Sequence, residues 1–329
     1  MIEGELSAVA GAPTAATISH EQVSAVAEFL IRRYGSSTPQ AMKWDNPLFW
    51  NVDASKAERC QFIAIGNAMN FRFWTLKNGE MVPAVGSIEG ESYRGSMYLW
   101  RRLRVGVARN EFSLNAEWLS ALTEDGLERA FKDDDGNCPL VPGIADRAKN
   151  LRDLGAGLLS SWQGRFDNVV RAADGSLKSF AELSAAFRAF DDPVRKLTMV
   201  NAIMLTGSGL AQFDENPLPG IDYHLVKQAV RQGLVVPSGV LIDKLKARQF
   251  LTASESVVLR QATLEALLQL SREAGISTDI IDNAYWLNGR VCDDRLPACQ
   301  AIGGPQCPFE QVCLQRTDLG SPIEETRYY

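Results

Sequence analysis

Apolar side chains recur at helical spacing along most of this chain, and that pattern restricts the fold more than any other feature. Behind Thr252, the residues Val258, Leu259, Ala262, Leu264, Leu267, Leu268 and Leu270 follow a 3.6-residue rhythm. Thr252 with Glu255 forms a capping-box pattern at the head of this run. Ser19 with Gln22 does the same before the amphipathic stretch His20 to Tyr34. Asp53 precedes a helix-like run through Phe62, Ile63, Ile65 and Met69, and similar periodicity marks 93–109, 144–161, 179–190, 194–206, 221–232 and 277–289. The main strand signal is Phe71-Arg72-Phe73-Trp74 leading to Lys77-Asn78-Gly79-Glu80, where Asn-Gly suits a tight hairpin turn. The expectation is a mainly α fold with at most a small sheet.

At 329 residues the chain has room for one large domain or two ordinary ones. With 46% hydrophobic and 22% charged residues it has the make-up of a globular protein, which excludes a disordered tail, a fibre and a disulfide-dense miniprotein. The 40 acidic side chains outnumber the 34 Lys and Arg, for a net charge of −6. A protein that grips long duplex DNA by neutralising phosphates leans the other way, so the balance favours a small-molecule or nucleotide substrate. No stretch approaches the roughly 18 apolar residues of a membrane span. The acidic start Met1-Ile2-Glu3-Gly4-Glu5 is unlike a signal peptide, so the cytoplasm is the expected compartment. The first 18 residues, rich in Ala, Gly, Ser and Thr, read as a mobile tail.

Four of the six cysteines, Cys292, Cys299, Cys307 and Cys313, crowd into 22 residues with the spacing C-x6-C-x7-C-x5-C. In a reducing compartment this grouping reads as a metal or cluster site rather than a disulfide framework. Four thiolates suit a tetrahedral zinc ion or a 4Fe-4S cluster, and composition leaves both open. Pro297, Gly303, Gly304 and Pro305 lie between them and let a loop wrap an inorganic centre.

Two further places carry chemistry. Asp222, in Pro219-Gly220-Ile221-Asp222-Tyr223-His224, stands where an amphipathic helix begins; it can cap that helix or serve as a catalytic carboxylate. Asn70-Phe71-Arg72-Phe73-Trp74 can stack a heterocycle and read one of its edges, or be a core strand with a polar turn residue.

The run Trp286-Leu287-Asn288-Gly289-Arg290-Val291-Cys292, with the three cysteines after it, resembles the C-terminal iron–sulfur loop of endonuclease III-type helix-hairpin-helix glycosylases. The outer two gaps match that family and the middle one is five residues longer. The resemblance implies a helix-hairpin-helix fold with a C-terminal cluster loop, and a 4Fe-4S cluster held by Cys292, Cys299, Cys307 and Cys313, distant from bond cleavage. It also implies that Asp222 is the catalytic carboxylate and that His224 supports the helix start. Met204 stands where lyase-competent members carry a catalytic Lys, which implies a hydrolase with water as final acceptor.

Asn70-Phe71-Arg72-Phe73-Trp74 is similar to the N-F-x-F-W signature of queuosine salvage proteins, which are queuosine 5′-phosphate N-glycosylases. Further anchors follow in order: Tyr93-Arg94-Gly95-Ser96 to Arg102, Pro139-Leu140 with Arg147 and Leu151 to Leu159, Gly164 to Val169, Arg195-Lys196, Asp222-Tyr223, and Glu255 to Arg260. They span about residues 45–290. This resemblance implies a base pocket lined by Asn70, Phe71, Phe73, Trp74 and Tyr93. It places Lys196 near a 5′-phosphate, against the alternative of a solvated helix face, and Asp222 at the ribosyl carbon, followed by Tyr223 and His224. His224 replaces the family's Arg. The expected division is a tail at 1–18, a helical region with a small sheet and the base pocket at 19–190, a glycosylase-like helical region at 191–290, and the cysteine loop at 291–329. The expected activity is hydrolysis of the N-glycosidic bond of a 7-deazaguanine-type nucleoside 5′-monophosphate. A DNA base-excision glycosylase and a non-catalytic nucleotide-binding module are the alternatives. Asp133 to Asn137 reads as an exposed loop, and Asp279, Asp282 and Asn283 read as a helix start.

Overall fold

The computed structural model describes residues 15–34, 42–78, 80–303 and 306–329. In chain order, β1 (Ala16–Ile18) and α1 (His20–Tyr34) come first. Next are α2 (Lys56–Ala68), the hairpins β2–β3 (Trp74–Lys77, Glu80–Pro83) and β4–β5 (Val85–Ile88, Glu91–Arg94), and α3 (Ser96–Ala108). Then follow α4 (Ala116–Ser120), α5 (Glu124–Ala130), α6 (Ile144–Ser161), α7 (Phe166–Ala172), α8 (Leu177–Ser184) and α9 (Lys196–Gly207). The last are α10 (Tyr223–Gln232), β6 (Val235–Pro237), α11 (Val240–Ala247), α12 (Ala253–Ala274) and α13 (Thr278–Gly289). The described residues are mainly helical, with three two-stranded antiparallel sheets.

These elements form two compact units. A split unit takes the described part of Met1–Met42 together with Asn216–Glu324, and a central unit takes Lys43–Glu215 with Glu325–Tyr329. This division differs from the regions expected at 1–18, 19–190, 191–290 and 291–329, because it follows contacts rather than order along the chain.

In the split unit, α12 is the hub: α1, α10 and α13 all pack on it. Its start is held as the sequence predicts. Thr252 Oγ1 accepts from Glu255 N at 3.3 Å, and Glu255 Oε2 accepts from Thr252 N at 2.7 Å. Ser19 Oγ likewise accepts from Gln22 N at 3.3 Å at the head of α1. Strand β1 pairs antiparallel with β6, with Ala16 opposite Pro237 and Ile18 opposite Val235. Residues 16–18, expected inside a mobile tail, are therefore held by a sheet partner that local composition does not reveal. Residues 1–14 of that tail lie outside the described residues.

In the central unit, α2 is buried from Cys60 through Ala68 and packs on α3, α6, α7 and α9. Its cap is Ser55 in a capping box with Glu58, two residues after the expected Asp53. Helices α4 and α6 approach so closely that a Cβ on Gly155 would meet Ala116 O and Ser120 N at 2.6 Å. The predicted hairpin forms with Trp74 opposite Pro83 and Lys77 opposite Glu80, and Asn78 takes φ +53°. Gly79, Gly304 and Pro305 lie outside the described residues. Phe71 to Phe73 are not strand, because a buried arginine takes the carbonyls of Phe71 and Arg72.

Candidate active site

In the central unit that arginine is Arg147 of α6, fully buried. Its Nε donates to Met69 O at 3.0 Å, one amino group to Pro142 O at 2.6 Å and Leu140 O at 3.1 Å, and the other to Arg72 O at 3.2 Å and to Phe71 O. The guanidinium also lies over the rings of Phe71 and Phe73, at 4.5 and 5.4 Å from their centroids. Burial pulls it down to about 9, so it stays charged at neutral pH, where carbonyl dipoles surround it. Phe71, Phe73 and Trp74 are 1%, 8% and 4% exposed, so these rings are chiefly wall.

Asn70 is half-buried just after α2, and its Nδ2 donates to Asn67 Oδ1 at 3.1 Å. Asn67 in turn donates to Asn201 Oδ1 at 2.8 Å. Lys196 is only 5% exposed, and its ammonium donates to Asn70 O at 2.7 Å. The solvated helix face weighed for this lysine is therefore absent. Tyr93 is half-buried on β5, edge-on to Phe49 at 5.9 Å. Its hairpin joins the aromatic segment through Gly95 N to Ala84 O and Ala84 N to Phe73 O, both 2.8 Å.

Asp222, Tyr223 and His224 belong to the split unit. Asp222 caps α10: its Oδ1 accepts from His224 N at 2.8 Å and from Leu225 N at 3.1 Å. The residues before it are fixed from two other helices. Gly220 N donates to Asp282 Oδ1 at 2.8 Å, and Arg260 Nε donates to Ile221 O at 3.1 Å. Asp222, Arg260 and Asp282 are all buried, so a carboxylate is held in one orientation with little water around it. The Tyr223 and His224 rings lie 4.2 Å apart. Asp282 is inside α13, whose cap is Ser277, so it is a brace for Gly220 rather than part of a helix start.

All four clustered cysteines line one cavity of the split unit, together with Gln228, Arg231 and Gln232 of α10 and Asn288 of α13. Arg231 is 1% exposed and donates to Cys292 Sγ at 3.4 Å, Asp293 O at 2.9 Å, Asp294 Oδ1 at 2.9 Å and Leu319 O at 2.8 Å. Gln315 N donates to Cys313 Sγ at 3.3 Å. Burial pushes the Cys313 thiol up to about 11 and raises Cys299 and Cys307 in the same direction.

The residues singled out from the sequence thus fall into two groups, each with its own support. From the sequence Arg231 has no assigned role, Arg260 is only the end of a family anchor, and Asp282 reads as part of a helix start. For Arg260 the sequence holds a partial signal: it follows Leu259 inside the apolar rhythm of α12, where a cation must find a polar partner that only the fold identifies.

Residues 50–200 match the family model of the queuosine salvage protein. The match takes in Asn70 to Trp74, Tyr93, Arg147 and Lys196 and ends before Asp222 and the four cysteines. The chain is also similar to a queuosine 5′-phosphate N-glycosylase/hydrolase of Sphaerobacter thermophilus, 27% identical over 301 residues, covering 85% of this chain and 88% of that protein. A protein of the same name from Nematostella vectensis is 22% identical over 175 residues, covering 53% of this chain and 48% of its own length. No helix of the described residues is long and apolar enough to cross a membrane.

Proposed function

We propose that this chain is a queuosine salvage protein: an N-glycosidase that hydrolyses queuosine 5′-phosphate, a 7-deazaguanine-type nucleoside 5′-monophosphate, and releases the free base. The observation that carries the reading is the similarity to the Sphaerobacter hydrolase, which extends over most of both chains. In the reaction the bond from C1′ to the base nitrogen breaks and its electron pair leaves with the base. Water oxygen then bonds to C1′, keeping one proton as the new 1′-hydroxyl, and its other proton passes to the base nitrogen that took the electron pair. Positive charge grows on the ribosyl ring as the bond lengthens, and an immobilised carboxylate stabilises that charge or attacks it. Asp222 is the carboxylate we assign to this role, with Arg260 and Asp282 holding its backbone and Tyr223 and His224 beside it. Asn70 is assigned to the edge of the base, Phe71, Phe73, Trp74 and Tyr93 to its surroundings, and Lys196 to the 5′-phosphate. Met204 is buried and cannot form the imine that a lysine would, so water is the acceptor.

A 4Fe-4S cluster on Cys292, Cys299, Cys307 and Cys313 is the cofactor we propose, with zinc as the alternative. The donor set fits: four thiols line one cavity. Among the described residues no three Cys, His, Asp or Glu side chains are grouped to hold one metal ion. A single zinc needs its sulfurs about 2.3 Å from one point and a cluster offers separate irons to separate thiolates, so iron, sulfide and zinc content of the purified chain decides between them. Its contribution here is structural.

The test is incubation of the purified chain with queuosine 5′-phosphate beside ordinary purine nucleotides, with mass spectrometry of the products. Free base and ribose 5-phosphate support the reading, provided Asp222→Asn abolishes them. A panel left intact overturns it.

A further inference from the structure

Helix α10 has two ends with different duties. Its first turn is capped by Asp222, and its last turn lines the four-thiol cavity through Gln228, Arg231 and Gln232. Among these, Arg231 bonds to the chain on both sides of the cysteine segment. One amino group meets Cys292 Sγ and Asp293 O, the other meets Asp294 Oδ1, and Nε meets Leu319 O. A single buried guanidinium therefore joins the helix to the segment that follows the first cysteine and to the segment that follows the last. Asp294 Oδ1 also accepts from Ser321 N at 3.1 Å, which closes the circuit. Four thiolates around an inorganic core carry net negative charge, and a fixed N–H donor to one sulfur with cationic charge behind it answers that charge.

We infer that Arg231 is a positioning residue for the metal centre, and that through it occupancy of the thiol cavity fixes the C-terminal end of α10. The inference rests on the proposed cluster but not on the glycosidase reading. Only its corollary, that a loaded cavity steadies Asp222 at the other end of the helix, depends on that reading.

The experiment uses the full chain, reconstituted anaerobically with ferrous iron and sulfide, with a parallel arm given zinc. Iron and sulfide at about four each per chain, with broad visible absorbance, are expected for wild type and for Cys138→Ser, and are lost in Cys299→Ser. Amide exchange across α10 is expected to slow by about tenfold on loading. Arg231→Lys keeps a positive charge but loses the forked donors. It is expected to lose most of that slowing and to lower the cluster's midpoint potential, because a hydrogen bond to sulfur is gone. Asp294→Asn, which loosens the other end of the guanidinium, is expected to give part of the exchange effect with iron content unchanged. Stoichiometric zinc binding without iron–sulfur absorbance overturns the inference. Equal α10 exchange in loaded and metal-free chain, or a wild-type potential in loaded Arg231→Lys, overturns it too. None of these readouts depends on substrate turnover, so a failed glycosidase assay leaves them interpretable.

Discussion

Arg260 donates its Nε proton to the carbonyl oxygen of Ile221, one residue ahead of Asp222, while Asp282 accepts from Gly220 one residue further back. A buried cation on α12 and a buried anion on α13 thus fix the backbone that presents the carboxylate. Removing either fixing point displaces Asp222 without touching it. Arg260→Met is expected to lower kcat on queuosine 5′-phosphate by about 10- to 100-fold with KM little changed, and Arg260→Lys to recover part of the loss. Steady-state kinetics of the two variants check this.

Asp222 has a structural duty and a proposed chemical one, and two substitutions separate them. Asparagine is as good a helix cap as aspartate, so Asp222→Asn should keep stability within a few tenths of a kcal/mol. It removes the charge, and activity is expected to fall by about 100- to 1,000-fold or more. Asp222→Ala removes the cap as well and should cost about 1 kcal/mol besides. Urea unfolding beside product assays distinguishes the two effects.

Lys196 carries its charge within 2.7 Å of the Asn70 carbonyl, in a buried setting. If it meets the 5′-phosphate, Lys196→Met should cut activity on the nucleotide by about 10- to 100-fold, the worth of a charge-assisted hydrogen bond. Activity on the unphosphorylated nucleoside should change far less. The ratio of kcat/KM for the two substrates is the measurement.

Gly289, near the end of α13, lies against His224. A Cβ there would stand 2.8 Å from His224 Cβ and 3.0 Å from Gln228 Nε2. Gly289→Ala must therefore push α10 and α13 apart and is expected to destabilise the chain by about 1–3 kcal/mol, although alanine is the better helix former. Thermal or urea unfolding reads the sign directly.

Much of this was legible in the sequence where the cause was local. The box at Thr252 and Glu255 and the helix Ile144–Ser161 depend on neighbours a few residues away and formed as read, and the hairpin pairs Trp74–Lys77 with Glu80–Pro83, three residues later than the expected strand start. What escaped was non-local. Strand β1 needs Val235–Pro237, and the conformation of Phe71 to Phe73 is set by Arg147 on a later helix. The candidate carboxylate was visible as a cap pattern, but Arg260 and Asp282 declare themselves only once the fold brings them to Ile221 and Gly220. For Lys196 the sequence leaves a phosphate contact and a solvated helix face both open, and burial of α9 on the sides that carry Lys196, Leu197, Met199 and Ile203 removes the second.

The split unit has a consequence for biosynthesis. Helix α1 emerges with Val23, Val26, Phe29 and Leu30 ready for burial, but α12, the helix it packs against, is encoded more than two hundred codons later. At ribosomal speeds of about 5–20 residues per second, that apolar stripe waits roughly 10–40 s for its mate. The central unit, nearly continuous in the chain, can mature during the interval, so the nascent polypeptide passes through a stage in which α1 waits unpaired beside a finished neighbour in sequence.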